Sequence, residues 1–150
     1  MPAVIPEPLR ERTRFVLADR LYEDPKTGCW QWTRGRTGSG YGAYSFTFAG
    51  RHRTYRVHRL VYELALGPIP DGLTLDHLCA NRLCANPDHL EPVTAGENSR
   101  RKSAAITHCK WGHQFDEENT LRRTHRDGTP QRVCIACERR RKIKARGGAA

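Results

Sequence analysis

The chain has 150 residues, of which 37% are hydrophobic, and its formal net charge is +10. This length allows one modest core or two small units, and the lack of an apolar run of about 18 residues excludes a transmembrane helix. The segment 1–8 lacks the basic head and apolar stretch of a signal peptide, so we expect a cytoplasmic protein. In that compartment the six cysteines indicate metal binding before disulfides.

The positive charge is concentrated in the last third of the chain. Residues 1–98 hold 12 Lys/Arg and 11 Asp/Glu, whereas residues 99–150 hold 14 Lys/Arg and 5 Asp/Glu. A basic segment attached to a nearly neutral one indicates a polyanionic partner, most simply nucleic acid. A solvated, solubilising surface is the alternative, but it does not account for the metal-ligand spacing that the basic segment also carries.

The N-terminal half predicts an arm, a helix and a β-hairpin that leads into a second helix. Residues 1–12 are proline-rich and are predicted to be a flexible arm. The elements predicted after it, in chain order, are a helix over 12–23, a short strand over 29–32, a strand over 41–48, a hairpin turn over 49–51, a return strand over 53–56 and a helix over 57–66. A Gly-Pro pair at 67–68 ends the last helix.

An acid and a histidine follow the next predicted strand. The β-like run 73–75 leads directly into Asp76 and His77. Asp76 is a hard oxygen ligand suited to Mg²⁺ or Mn²⁺, and a neutral imidazole at His77 can take a proton from water near neutral pH. Metal-assisted cleavage of a phosphodiester needs both an activated water and a Lewis acid at the scissile phosphate.

A carboxamide then arrives on a helix. Residues 94–97 read Thr-Ala-Gly-Glu, a capping box that predicts a helix from 95 to about 105. Asn98 lies in the first turn of that helix, so a strand end and a helix start could grip one ion between Asp76 and Asn98. Each of these residues alone is more simply explained as a turn or cap residue, and it is their joint order and spacing that favour a nuclease.

This stretch resembles the HNH endonucleases, also called ββα-metal nucleases, and in particular their small phage and mobile-intron branch. The resemblance covers roughly residues 58–101 and includes His-Arg-Leu-Val at 58–61 and Gly-Pro-Ile-Pro-Asp-Gly-Leu at 67–73. It implies an α+β fold with a ββα-metal core, double-stranded DNA as the substrate, and products with 3′-hydroxyl and 5′-phosphate ends. It also implies a cell of bacterial or phage-infected origin.

The resemblance further implies the roles of single residues. His77 would be the general base, Asp76 the first ligand of the catalytic ion, and Asn98 the last. The residue that orients the base would be His89 by spacing, with Asn86 as the nearby alternative. The pattern of catalytic residues is therefore Asp76-His77, His89 and Asn98, rather than the literal His-Asn-His of the family name. His58 is not assigned a catalytic role.

Two sets of four soft or borderline ligands predict two structural zinc sites. The C-terminal set is Cys109, His113, Cys134 and Cys137, with His108 as a competitor for His113 and a hairpin turn expected at 124–130. The other set is Cys79, Cys84 and His89, with Cys29, the cysteine left over, as the fourth ligand. The alternative for this second set is that His89 only orients the base and the thiols are buried apolar groups.

Ten basic residues are candidates for DNA contacts, although phosphate contacts position a protein and only base contacts specify sequence. They are Arg34, Arg36, Arg51, Arg53, Arg100, Arg101, Lys102, Arg139, Arg140 and Arg141. The segment 139–146 is expected to form a basic tail along the duplex backbone.

These observations predict three segments: the arm over 1–12, an HNH nuclease domain over 13–105, and a basic zinc-binding, DNA-contacting module over 106–150. The function expected is one-metal DNA hydrolysis, with Mg²⁺ or Mn²⁺ as the catalytic ion and no membrane partner. One site per chain means that cutting both strands requires a homodimer, two molecules or re-binding. A non-enzymatic, zinc-dependent DNA-binding regulator is the second hypothesis, and an RNA-directed nuclease is the third.

Overall fold

The computed structural model describes residues 7–126 and 128–147 of the chain. Residues 1–6 of the expected arm and Asp127 of the expected turn lie outside the described residues. The chain divides into two compact units, Met1–Asn98 and Ser99–Ala150. None of the helices in the described part is long and apolar enough to cross a membrane.

The first unit is a mixture of helices and two-stranded antiparallel sheets. Its elements are α1 (Glu7–Ala18), β1 (Leu21–Glu23), β2 (Trp30–Trp32), β3 (Ala43–Phe48), β4 (Arg51–Arg56), α2 (Val57–Leu66), β5 (Leu73–His77), a short 3₁₀ turn (Pro87–His89) and β6 (Leu90–Thr94), after which α3 (Ala95–Ala105) begins. β1 pairs with β2, β3 with β4, and β5 with β6.

The helix predicted over 12–23 lies earlier in the chain. It spans Glu7–Ala18, so residues 7–12, expected to belong to the arm, are helical. A proline in the first turn does not interrupt a helix, because the amide that it lacks has no partner there. The prediction of helix at 21–23 was wrong, because these residues form β1 and pair with β2 in the register Leu21↔Trp32.

The main core of the first unit lies under α2. Val57, Leu60 and Val61 of this helix pack with Leu17 of α1 and Trp32 of β2. The helix has the bounds predicted from its amphipathic pattern, Val57–Leu66. A turn at residues 49 and 50 joins β3 to β4, and its φ angles of 48° and 72° match the twist of the flanking strands. β4 ends at Arg56, directly before α2.

The last part of the unit has the predicted ββα order. β5 and β6 are antiparallel, with Asp76 opposite Glu91. The Glu97 amide donates to the Thr94 hydroxyl over 3.1 Å, which confirms the cap, and α3 has the predicted bounds. The α+β fold with a ββα core is therefore confirmed.

The second unit is built differently. It contains a hairpin of β7 (Thr120–Thr124) and β8 (Pro130–Cys134), followed by α4 (Ile135–Ala145). The basic segment expected as a tail is therefore mostly helical. Among the described residues from 99 onward, Cys134 has the single buried side chain. A unit with so little buried apolar surface requires some other source of stability, such as a metal ion.

Candidate active site and metal centres

Asp76 and His77 occupy the C-terminal end of β5. Successive residues of a strand point to opposite faces, and the two differ accordingly: Asp76 is buried, with 8% of its surface exposed, whereas His77 is half-buried. The strand thus keeps a carboxylate out of bulk water next to an imidazole that solvent can reach.

The ring of His77 is oriented by a main-chain group. Its Nε2 lies 3.2 Å from the carbonyl oxygen of Cys84. A carbonyl oxygen only accepts, so Nε2 carries the ring proton and the lone pair of the neutral ring is on Nδ1. The loop between β5 and β6 therefore selects the tautomer in which Nδ1 can accept a proton.

Asn98 carries a buried hydrogen-bond acceptor on its side chain. Its side chain is only 6% exposed, and its Oδ1 has no hydrogen-bond partner within the described part of the chain. Buried acceptors are normally paired, because leaving one unpaired costs about 1–3 kcal/mol. A carboxamide oxygen on α3 and the Asp76 carboxylate on β5 are the oxygen donors that suit Mg²⁺ or Mn²⁺.

Two aromatic rings that the sequence did not assign to the site flank His77. The centroid of the His58 ring lies 4.6 Å from that of His77, edge to face, and the Tyr41 ring lies 5.8 Å from His77. His58 is buried, and its Nδ1 has no partner within the described residues. Burial, reinforced by the neighbouring His77 and the cation of Arg56, lowers the pKa of His58 to about 3, so this imidazole is neutral near pH 7.

The first predicted metal set comes together in the first unit. The donor atoms of Cys29, Cys79, Cys84 and His89 all lie within 4.8 Å of one another. The Nδ1 of His89 is 3.5 Å from each of the sulphurs of Cys29 and Cys84. Ligands about 2.0–2.3 Å from a tetrahedral zinc ion are roughly 3.5–3.8 Å apart, so these separations fit zinc.

The thiols of this set do not ionise alike. Burial, together with the neighbouring Cys29, raises the pKa of Cys84 to about 12. Burial also opposes ionisation of Cys29, but hydrogen bonds with Thr27 and His89 outweigh it and lower its pKa to about 7. Thiolates this close to one another repel. A bound cation would offset this repulsion and stabilise the ionised form of all three thiols, Cys29, Cys79 and Cys84.

His89 and Asn86 are the two candidates for the residue that orients the loop after β5. His89 lies in the cysteine set, and the buried Asn86 donates from its Nδ2 to the Gly28 carbonyl over 2.8 Å. Its Oδ1 accepts from the Asp88 amide at 3.0 Å, capping the 3₁₀ turn. Asn86 thereby joins the loop after β5 to the residue before Cys29.

The second predicted set comes together in the second unit. The donor atoms of Cys109, His113, Cys134 and Cys137 also lie within 4.8 Å of one another. The Nδ1 of His113 is 3.3 Å from the sulphur of Cys137 and 3.5 Å from that of Cys109. His108, the competing histidine, instead contacts the Thr107 hydroxyl at 2.9 Å. All six cysteines are free thiols.

Nine of the ten basic residues predicted to contact DNA are exposed, and Arg101 is half-buried. Within the second unit, Arg141 forms an ion pair with Glu138 at 2.9 Å, and Arg140 lies over the Trp111 ring. Arg51 and Arg53 lie on β4 opposite Phe48 and Phe46.

In comparison with known proteins, residues 55–100 match a family described as HNH endonuclease. The chain is 43% identical over 60 residues to the uncharacterized gene 5.3 protein of Enterobacteria phage T3, covering 39% of this chain and 59% of that protein. It is 35% identical over 71 residues to protein 7.7 of Escherichia phage T7, covering 47% and 52%. The chain thus spans little more than half the length of these relatives.

Among solved structures, the chain is similar to the HNH homing endonuclease I-HmuI. The sequence identity is 20%, the TM-score is 0.42, and the match covers 83% of this chain and 78% of the other. A likeness at this level carries no argument about the site.

Proposed function

We propose that the protein is a metal-dependent DNA endonuclease, because its residues 55–100 match the family described as HNH endonuclease. The observation that carries the proposal is the His77 ring, whose proton is held on Nε2 by the Cys84 carbonyl at 3.2 Å. In this tautomer Nδ1 carries the lone pair of the ring and would take the proton of an attacking water. The residue before it, Asp76, is a buried carboxylate.

Asp76 and Asn98 would hold the catalytic Mg²⁺ or Mn²⁺. When bound, such an ion supplies Lewis acidity and offsets the charge that develops on the phosphate and the leaving oxygen. The buried Oδ1 of Asn98, which has no hydrogen-bond partner among residues 7–126 and 128–147, supports this assignment, because a cation would satisfy it. By the resemblance noted above, the cut would leave 3′-hydroxyl and 5′-phosphate ends.

The two cysteine sets would bind structural zinc. In the first unit the ion would hold the loop that carries the Cys84 carbonyl. Because that carbonyl accepts a hydrogen bond from His77 Nε2, the ion would also maintain the His77 tautomer. In the second unit it would hold the hairpin β7–β8 and helix α4, to which the buried Cys134 belongs. Folding of both regions would then depend on metal.

Double-stranded DNA is the proposed substrate, bound through phosphate contacts of the exposed arginines of both units. Residues 99–150, with 14 Lys/Arg and 5 Asp/Glu, would supply most of the electrostatic attraction. Each chain would make one cut for each binding event, and a homodimer or a second binding event would be needed to cut the other strand.

The test is plasmid cleavage by the zinc-loaded native chain with and without Mg²⁺ or Mn²⁺. We expect metal-dependent nicking or linearisation by the native chain and its loss in His77→Ala, with DNA binding and zinc content unchanged. A matched control is His52→Ala, since His52 is an exposed histidine of β4. Cleavage by neither protein, on phage or modified DNA as well as plasmid, with DNA still bound, would favour the regulator hypothesis instead.

A further inference from the structure

Trp111 is a large aromatic side chain placed on the surface of the second unit. It lies between two residues of the proposed zinc set, Cys109 and His113, and 63% of its surface is exposed. The turn that carries it is tightly bonded: the Cys109 amide donates to the His113 carbonyl at 2.8 Å, and the Gly112 amide donates to the Cys109 carbonyl at 2.9 Å.

The turn itself requires glycine. Gly112 has a φ of 82°, a left-handed conformation that glycine adopts without steric cost. The Trp111 amide donates to the Cys109 sulphur at 3.4 Å, which is the geometry of a main-chain amide stabilising a metal-bound thiolate. The indole is therefore presented from a rigid turn, and little conformational entropy is lost when a ligand covers it.

Two cations lie close to the indole. The Nζ of Lys110 is 5.2 Å from the ring centroid, and the guanidinium carbon of Arg140, on α4, is 5.9 Å away. Both residues are exposed. An exposed aromatic ring beside two cations matches the chemistry of a nucleotide, which offers a flat base and a nearby anionic phosphate.

We propose that Trp111 is a stacking platform for an unpaired base of single-stranded DNA, with Lys110 and Arg140 moving from the ring to the adjacent phosphates. The charge of the unit, 14 Lys/Arg against 5 Asp/Glu, favours a nucleic acid over a protein partner. A single strand is favoured over a duplex because a paired base has both of its faces covered by its neighbours, whereas an unpaired base has a free face. The proposal concerns binding by the second unit and does not depend on cleavage by the first.

The experiment measures binding of a labelled oligothymidylate and of a duplex of equal length to the full-length, zinc-loaded chain without Mg²⁺. The variants are Trp111→Ala and Trp111→Phe, and Phe15→Ala is the matched control, since Phe15 is an exposed aromatic residue of the first unit, 79% exposed. Base stacking on an aromatic side chain accounts for roughly tenfold or more in affinity. We therefore expect Trp111→Ala to lose at least about tenfold in single-strand affinity, with Trp111→Phe and Phe15→Ala close to native.

The same experiment has a spectroscopic arm. Trp32 is buried and Trp30 is half-buried, so the oligothymidylate should quench mainly the exposed Trp111, and the quenching should disappear in Trp111→Phe. Unchanged single-strand affinity in Trp111→Ala, or an equal loss on single strand and duplex, would overturn the proposal. If Trp111→Ala loses zinc, Trp111→Leu replaces it: a loss of single-strand affinity with full zinc content supports stacking, and native affinity contradicts it.

Discussion

The Nε2 of His77 and the carbonyl oxygen of Cys84 are 3.2 Å apart, and this single hydrogen bond joins the proposed general base to a proposed zinc ligand. Cys84 is fully buried, so its main chain cannot shift without disturbing the packing around it. The orientation of the base and the integrity of the cysteine set therefore depend on the same residue.

This coupling predicts that Cys84→Ser impairs both stability and cleavage. Loss of the first metal should lower the midpoint of thermal unfolding, and a released loop should reduce the cleavage rate by roughly tenfold to a hundredfold, as removal of supporting partners does in metal sites. Zinc content, unfolding and cleavage are measured on one preparation. Cys137→Ser is the control: it should lose the other zinc and weaken DNA binding while leaving the single-turnover rate of bound substrate near native. Equal effects of both variants on that rate would contradict the coupling.

A second prediction concerns Asn98. Asn98→Ala removes a carbonyl oxygen proposed to hold the catalytic ion, and loss of several kcal/mol of metal assistance corresponds to a rate at least about a hundredfold lower. Asn98→Asp keeps an oxygen donor at the same position, so it should retain more activity than Asn98→Ala and respond to lower Mg²⁺ concentrations. The measurement is cleavage rate against Mg²⁺ concentration. An alanine variant with the native Mg²⁺ dependence would remove Asn98 from the site.

The buried His58 predicts a stability loss in acid. Its pKa is about 3 in the folded chain and near 6.5 when unfolded, so between these values the unfolded chain binds more protons. The free energy of unfolding should therefore fall as pH decreases below about 6.5, by up to roughly 1.4 kcal/mol per pH unit.

The check is denaturant unfolding of the native chain and His58→Gln across this pH range, with zinc saturating in both. His58→Gln should show a smaller decrease in stability on acidification, because glutamine does not titrate. His52→Gln, at an exposed position of β4, should follow the native curve. Parallel curves for the native chain and His58→Gln would show that His58 is not the group responsible.

Gly42 predicts a packing effect close to the core. A β-carbon added there would lie 2.9 Å from Cδ1 and 3.0 Å from Cγ of the Trp32 ring, and Trp32 is only 3% exposed. Gly42→Ala should therefore destabilise the chain by about 1–3 kcal/mol, as overpacking does in well-packed cores. Gly38→Ala is the control, because nothing lies within 4 Å of its added β-carbon. The two variants are compared by thermal unfolding, and equal midpoints would contradict this account of the contact.

The sequence predicted correctly the two helices whose signals lie within a few neighbouring residues, α2 and α3. The capping box gave the start of α3, and amphipathic spacing with the Gly-Pro pair at 67–68 gave the two ends of α2. The helix expected to reach residue 23 was misjudged because β1 exists only through pairing with β2, whose first residue lies seven positions after β1 ends. Hydrophobic spacing over a few residues does not distinguish such a strand from a helix end.

In the candidate site, too, residues close together in the sequence were predicted and residues brought together only by tertiary packing were not. Spacing along the chain was enough to group Cys79, Cys84 and His89, but Cys29 was added only because it was left over. His58 and Tyr41 were not assigned to the site, because their contact with His77 arises from the packing of α2 and of the segment before β3 against the β5 end, not from neighbouring positions in sequence. Only tertiary structure brings these three rings together.

The central claim is that Nδ1 of His77 takes the proton of the attacking water. The most direct measurement is the single-turnover cleavage rate, in Mg²⁺, of the native chain and of His77→Gly with and without added imidazole. We predict a rate at least about a hundredfold lower in His77→Gly, with part of the loss restored by imidazole and zinc content unchanged. Cleavage by His77→Gly at the native rate would contradict the account.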